Sequence, residues 1–168
     1  MPVQLNVMQL NPMHAGDPDR LAEIIHNTSK FDLVVLTGTG HKSPPQAPAQ
    51  GLTQRSIDKV TVLEAGYKTG CYTNASTGIT FLIRGKHLKS SNLVAAGSLQ
   101  GPAQGRAAYV RFKTRGSDLL FIGAYFPPKP CLNRELPKYR KTCQVVIDYI
   151  QKVVQGVPSS AVQLYSLI

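Results

Sequence analysis

Leu33-Val34-Val35-Leu36 is an unbroken apolar run, closed on one side by Asp32 and on the other by Thr37-Gly38-Thr39-Gly40. A strand with one wet face alternates, so a continuous apolar run of strand length reads as a strand covered on both faces. Such a strand needs a layer on each side, and the preceding sequence offers two candidates. In Val3 to Leu10, Val3, Leu5 and Val7 alternate with Gln4 and Asn6, the period of a half-buried strand. Asn11-Pro12 ends that segment, because a proline breaks the ladder. Asp17-Pro18 then starts a helix, with Asp as N-cap, proline at the first position, and Leu21, Ile24 and Ile25 as one apolar stripe. Strand, helix, buried strand is the opening of an α/β domain.

The remainder fits one domain of 168 residues. Ser43 to Gln54 is proline-rich and polar, which predicts a flexible surface loop over about 41–55. Three strands are expected at Gly78–Ile83, Ala108–Lys113 and Leu119–Tyr125, the last two joined by a hairpin connection at Thr114–Asp118. Leu136 to Val154 predicts a helix whose apolar face holds Tyr139, Cys143, Val146, Ile147, Ile150, Val153 and Val154, stopped by Gly156-Val157-Pro158. A last strand-like piece, Ala161 to Leu164, runs into the C-terminus, and no internal repeat is visible.

Charge narrows the partners. The net charge is +10, and twelve Lys and Arg lie between Arg84 and Lys141 against only Asp118 and Glu135, so that segment holds the whole excess. A concentrated positive field attracts polyanions, and the segment 84–141 is the expected contact for nucleic acid. No aromatic–basic repeat identifies a particular nucleic-acid module. Three cysteines, Cys71, Cys131 and Cys143, are odd in number and without C-x-x-C spacing, which argues for small hydrophobes in or near the core over a disulfide framework or a zinc site. No apolar run approaches the ~20 residues of a membrane span, and the N-terminus lacks the form of a secretory signal. The expectation is a soluble intracellular protein without a membrane role, nucleus and cytoplasm being indistinguishable.

Four segments in order carry a resemblance: the strand ending in Asn11, D-L-V-V-L-T-G-T at Asp32–Thr39, G-R-A-A-Y-V-R-F at Gly105–Phe112, and G-A-Y-F-P-P at Gly123–Pro128. Together they resemble the N-terminal half of the endonuclease/exonuclease/phosphatase superfamily, with its DNase-I-like fold, and look most similar to the endonuclease domains of non-LTR retrotransposons. The resemblance covers nearly all of this chain and about half of a family domain. It implies a fold class of α/β, the N-terminal half of a DNase-I-like sandwich. One mixed sheet with flanking helices is expected, the second sheet being largely missing and the inner face left uncovered. Residues 1–168 form one partial domain, truncated after the strand at 161–168.

The resemblance also assigns positions. Asn11 matches the first-strand Asn that helps hold metal and phosphate, and Tyr125 matches the Tyr of Y-x-P, whose phenol reaches toward the phosphate. Arg106, Arg111, Lys129 and Arg134 are candidate backbone-phosphate contacts, and His41, in the loop after Gly38, is a fifth. The departures are as informative. Thr37-Gly38-Thr39 stands where the family has Gln-Glu-Thr, so the metal-ligand Glu is Gly38, and Glu64 lies too far along the chain to be assumed a substitute. In the same resemblance Leu167 falls at the Asp of Gly-Asp-x-Asn, and the Ser-Asp-His segment would belong to a second half. Intact members use magnesium; none is expected to serve this chain. It is expected to be an inactive remnant of a metal-dependent phosphodiesterase, with weak nucleic-acid binding. Two alternatives stand beside that: a non-enzymatic binding module, and a phosphodiesterase completed by a second chain. A second half-domain or a homo-oligomer would cover the exposed sheet face.

Overall fold

A computed structural model of the chain describes residues 4–42, 52–67 and 77–167. Its first sheet holds five strands: β1 (Val7–Leu10), β2 (Leu33–Thr37), β3 (Leu52–Ile57), β4 (Val60–Ala65) and β5 (Ile79–Arg84), in the order β1-β2-β5-β4-β3. Only β1 and β2 pair in parallel, across the crossover helix α1 (Pro18–Asn27). The second sheet runs β6 (Leu93–Ser98), β7 (Ala107–Lys113), β8 (Asp118–Ala124), β9 (Val162–Leu167), with β9 parallel to β8 after the helix α2 (Leu136–Gln155).

The α/β class stands, but the second sheet is present and packs face to face on the first. Leu33, Val35, Leu63, Phe81 and Ile83 from one meet Ala108, Val110, Phe112 and Phe121 from the other in a single core. Phe112 and Phe121 are diagonal neighbours on β7 and β8, in edge-to-face contact at 6.1 Å. Such a pair contributes about 0.5–1.5 kcal/mol beyond the area it buries. Gly123 marks the closest approach of the layers: a β-carbon there would meet Ile79 Cγ2 at 2.9 Å and Val35 Cγ1 at 3.0 Å. The uncovered inner face expected from the sequence is therefore filled over most of its area, because β7, β8 and β9, expected in one sheet with the others, form a sheet of their own with β6; three strands in all were not foreseen.

Two of those three are β3 and β4, joined at Asp58-Lys59, both with positive φ. β3 begins at Leu52, so the expected loop over 41–55 ends earlier; positions 43–51 lie outside the described residues. The third is β6, Leu-Val-Ala-Ala-Gly-Ser. β1 is shorter than the expected Val3–Leu10, since residues 4–6 are not strand and 1–3 lie outside the described residues.

Each helix covers an outer face. On the first sheet, Leu21, Ile24 and Ile25 of α1 pack with Val34, Leu36, Val62 and Leu82. Asp17 caps that helix, its carboxylate accepting from the backbone N–H of Asp19 and Arg20. At the other end the Arg84 guanidinium donates to the carbonyls of Ile25 and Phe31, and burial lowers its pKa from the ordinary value. On the second sheet, Val146 of α2 is buried against Leu99, Ala103, Ala107 and Ala124, with Val145, Tyr149 and Ile150 alongside. The buried face is thus rotated from the predicted one: Ile147 is 38% exposed. Cys143 is half-buried, whereas Cys131 is exposed and not the core hydrophobe expected; Cys71 lies outside the described residues. No helix is long and apolar enough to cross a membrane, among the described residues.

Candidate functional site

Strand direction gathers Asn11, Gly38 and Tyr125 at one end of the sandwich. β1 and β2 run in parallel with Leu10 opposite Leu36, so Asn11, just past β1, comes beside Thr37, the last residue of β2. Because Gly123 lies against Val35 and Ile79, the C-terminal end of β8 sits over the C-terminal end of β2, and Tyr125 emerges there too.

Asn11 is exposed, in a tight turn where its Oδ1 accepts from the Met13 backbone N–H at 3.4 Å. Pro12 is buried, and Met13 and His14 both have positive φ, uncommon for residues with side chains. Next to them, Gly38 has φ 69°, and its N–H donates to the Gly78 carbonyl at 2.8 Å. The Thr37 hydroxyl is buried without a hydrogen-bond partner among the described residues.

Tyr125 is half-buried and tied to Arg106 on both sides. Its N–H donates to the Arg106 carbonyl at 2.8 Å, and its carbonyl accepts from the Arg106 guanidinium at 3.2 Å. The guanidinium also lies 5.9 Å from the Tyr125 ring centroid. Arg106, expected at a phosphate, is 3% exposed, and burial lowers its pKa, with Tyr125 and Cys143 acting in the opposite direction. It holds Tyr125 in place instead of facing solvent. Arg111 is likewise occupied: it forks onto Asp118 at 2.8 and 2.6 Å, near the opposite end of β7 from Ala107. A buried or forked guanidinium spends its donors internally, which is why these two depart from the expectation.

Lys129 and Arg134 are exposed. His41 places its Nε2 3.7 Å from the carboxylate of Glu64, a residue that chain distance had set aside. Leu63 and Ala65 point into the inter-sheet core, so Glu64 between them faces the outer side of the sheet, where it is 3% exposed. Arg55 of β3 grips both its oxygens, at 3.2 and 3.0 Å. The sequence signal for this pair was the β3–β4 hairpin itself, which brings Arg55 and Glu64 onto neighbouring strands.

A hard divalent cation wants several oxygen ligands, at least one of them anionic. The position expected to supply the carboxylate is Gly38, and the oxygens of Glu64 are already held by Arg55. Among the described residues no three His, Cys, Asp or Glu stand close enough together to hold an ion. The donors among the described residues do not fit magnesium.

The basic segment 84–141 divides between the two ends. Lys86, Lys89, Lys113 and Arg115, all exposed, follow the far ends of β5 and β7. Lys129, Arg134, Lys138, Arg140 and Lys141, also exposed, follow Tyr125 at the candidate end, with Glu135 the one acid among them. Three of these five lie in the first two turns of α2, and Lys138, in the first, stands where the helix dipole already places positive charge.

No family model and no curated protein matches the chain. Solved structures do. The AP endonuclease LMAP of Leishmania major superposes with a TM-score of 0.60 at 12% identity, over 96% of this chain and 53% of that one. Truncated TDP2 of Caenorhabditis elegans gives a TM-score of 0.50 at 11% identity, over 93% and 58%. The chain spans little more than half the length of either, and at such identities the likeness concerns the fold alone. The two-layer sandwich, its strand ends and these neighbours together give the chain the DNase-I-like fold of endonucleases, exonucleases and phosphatases, over about half of that fold's extent.

Proposed function

We propose that the chain is a catalytically incomplete nuclease-type half-domain that binds nucleic acid by its phosphate backbone and does not read sequence. The observation that carries this is the group of five exposed cations between Lys129 and Lys141, at the end where Asn11 and Tyr125 emerge. Lys138, in the first turn of α2, opposes the helix dipole, and an anionic partner relieves that cost. Asn11, exposed with an amide that both donates and accepts, would accompany a phosphate there. Resemblance to non-LTR retrotransposon endonucleases supports nucleic acid as the polyanion. Hydrolysis is not assigned to the chain, since Gly38 offers no ligand and the Leu167 position no base.

Binding of a labelled DNA duplex at stepped salt concentrations tests the proposal. Each phosphate contact contributes a slope of about −0.9 to log K against log salt. Replacing Arg134, Arg140 and Lys141 together with Gln should reduce the slope by about 2 to 3. The same replacement of Lys86, Lys113 and Arg115 at the far end should leave it nearly unchanged. Equal losses from both triplets would reduce the interface to diffuse attraction, and magnesium-dependent cleavage by the purified chain would overturn the proposal.

A further inference from the structure

An open sheet edge presents unpaired backbone groups, and monomeric proteins guard such edges with charge, proline or a bulge. Of the four edges among the described strands, two are guarded. β3 carries Arg55, and β6 shifts register between Leu93 and Ala95. The other two, β1 (Val-Met-Gln-Leu) and β9 (Val-Gln-Leu-Tyr-Ser-Leu), have no charged residue, no proline and no break in register with their neighbours. Both lie on the same side of the sandwich, where a cleft of about 410 Å³ opens between Val7 and Val35 of one sheet and Phe121 and Leu164 of the other. The exposed side chains there point inward. Val7 pairs with Leu33, Leu164 with Phe121 and Val162 with Leu119, all core residues, yet the three are 39, 42 and 53% exposed. Inner-facing apolar residues left half open mark a core lacking its last wall.

We infer that this side is a self-association interface closed by a second copy of the chain. A two-fold axis normal to the sheets sets β1 antiparallel to β1 of the partner and β9 antiparallel to β9 of the partner. One rotation then extends both sheets at once and places the two open cores against each other. The chemistry favours a copy. The seam is uncharged, so an acidic polypeptide finds nothing there to recognise, and the +10 excess of each chain stays at the sandwich ends. This interface uses strand edges and not the cationic end, so it stands apart from the nucleic-acid proposal.

Sedimentation equilibrium of the purified chain over about a hundredfold dilution tests it. The expected result is a reversible equilibrium between one and two chains. Leu164→Lys and Val7→Lys, one on each seam strand, should each shift it to monomer, while Val94→Lys on the bulged β6 edge should leave it unchanged. Circular dichroism confirms that each variant folds. Should either seam variant fail to fold, Tyr165→Lys, at an exposed outward position on β9, takes its place with the same expectation. A monomer at every concentration overturns the inference. So does a dimer that only Val94→Lys dissociates, or open-ended growth beyond two chains, which a closed two-fold forbids.

Discussion

At Gly38 the missing ligand is written into the backbone as well as the side chain. A φ of 69° lies in the left-handed region, which costs a residue with a β-carbon roughly 1–2 kcal/mol. Its N–H, and more weakly that of Thr39, both donate to the Gly78 carbonyl, so the turn is held in that shape. Restoring a carboxylate by Gly38→Glu should therefore destabilise the fold by about 1–2 kcal/mol in urea unfolding. Gly38→Ala should cost about the same, which separates the conformational cause from charge. Neither variant should gain magnesium-dependent cleavage, and a nuclease arising from Gly38→Glu alone would show that the rest of the site is complete.

Among the elements, the β7–β8 hairpin carries one polar pair beside its turn. The hydrogen bonds from Arg111 hold the Asp118 carboxyl below its ordinary 3.8. A carboxylate with a depressed folded pKa contributes stability above its unfolded value and loses it as pH falls through the folded one. The Asp118 carboxyl should thus titrate below 3.8 by NMR, with hairpin amide protection falling through the same range. Arg111→Gln should return the midpoint toward 3.8; an unchanged midpoint would assign the shift elsewhere. The hairpin was also legible in the sequence, since Ala108, Val110 and Phe112 alternate with Tyr109, Arg111 and Lys113. β2, β5 and β8 were readable as apolar runs, and α1 from its Asp17-Pro18 cap. β3 was not, because Thr53, Gln54, Arg55 and Ser56 form a polar edge that follows a proline-rich stretch. β4 was hidden with it, as Asp58-Lys59 turns the chain without glycine. β6 is built of small residues that carry no periodic signal. Missing β3 and β4 also hid the Arg55–Glu64 pair, which exists only once the two strands are side by side. Asn11 and Tyr125 could be placed because each sits at the end of a readable strand. Arg106 was misplaced because nothing local in Gly105-Arg106-Ala107 says that its guanidinium turns inward to Tyr125.

For the whole molecule, the question is whether half of a DNase-I-like fold closes its own core. Phe81, Phe112 and Phe121 are at most 1% exposed, and both helices bury a stripe on their own sheet. Fully burying one such side chain contributes about 1.5–3 kcal/mol, so the layers should melt together and not sheet by sheet. A single cooperative thermal transition by circular dichroism is the expected outcome. A ligand that binds only the folded state raises the melting temperature, and the donors among the described residues do not fit magnesium, so millimolar magnesium should leave it unmoved. Protein concentration should not. If the seam of β1 and β9 closes on a second copy, dilution lowers the melting temperature of the wild type and not that of Leu164→Lys. A rise with magnesium would mean that oxygens such as those of Asn11 and Glu64 rearrange around an ion, which would reopen the case for hydrolysis. Two separated transitions would mean that the sheets are independent units, and the shared core between Phe81 and Phe121 would then be too weak to join them.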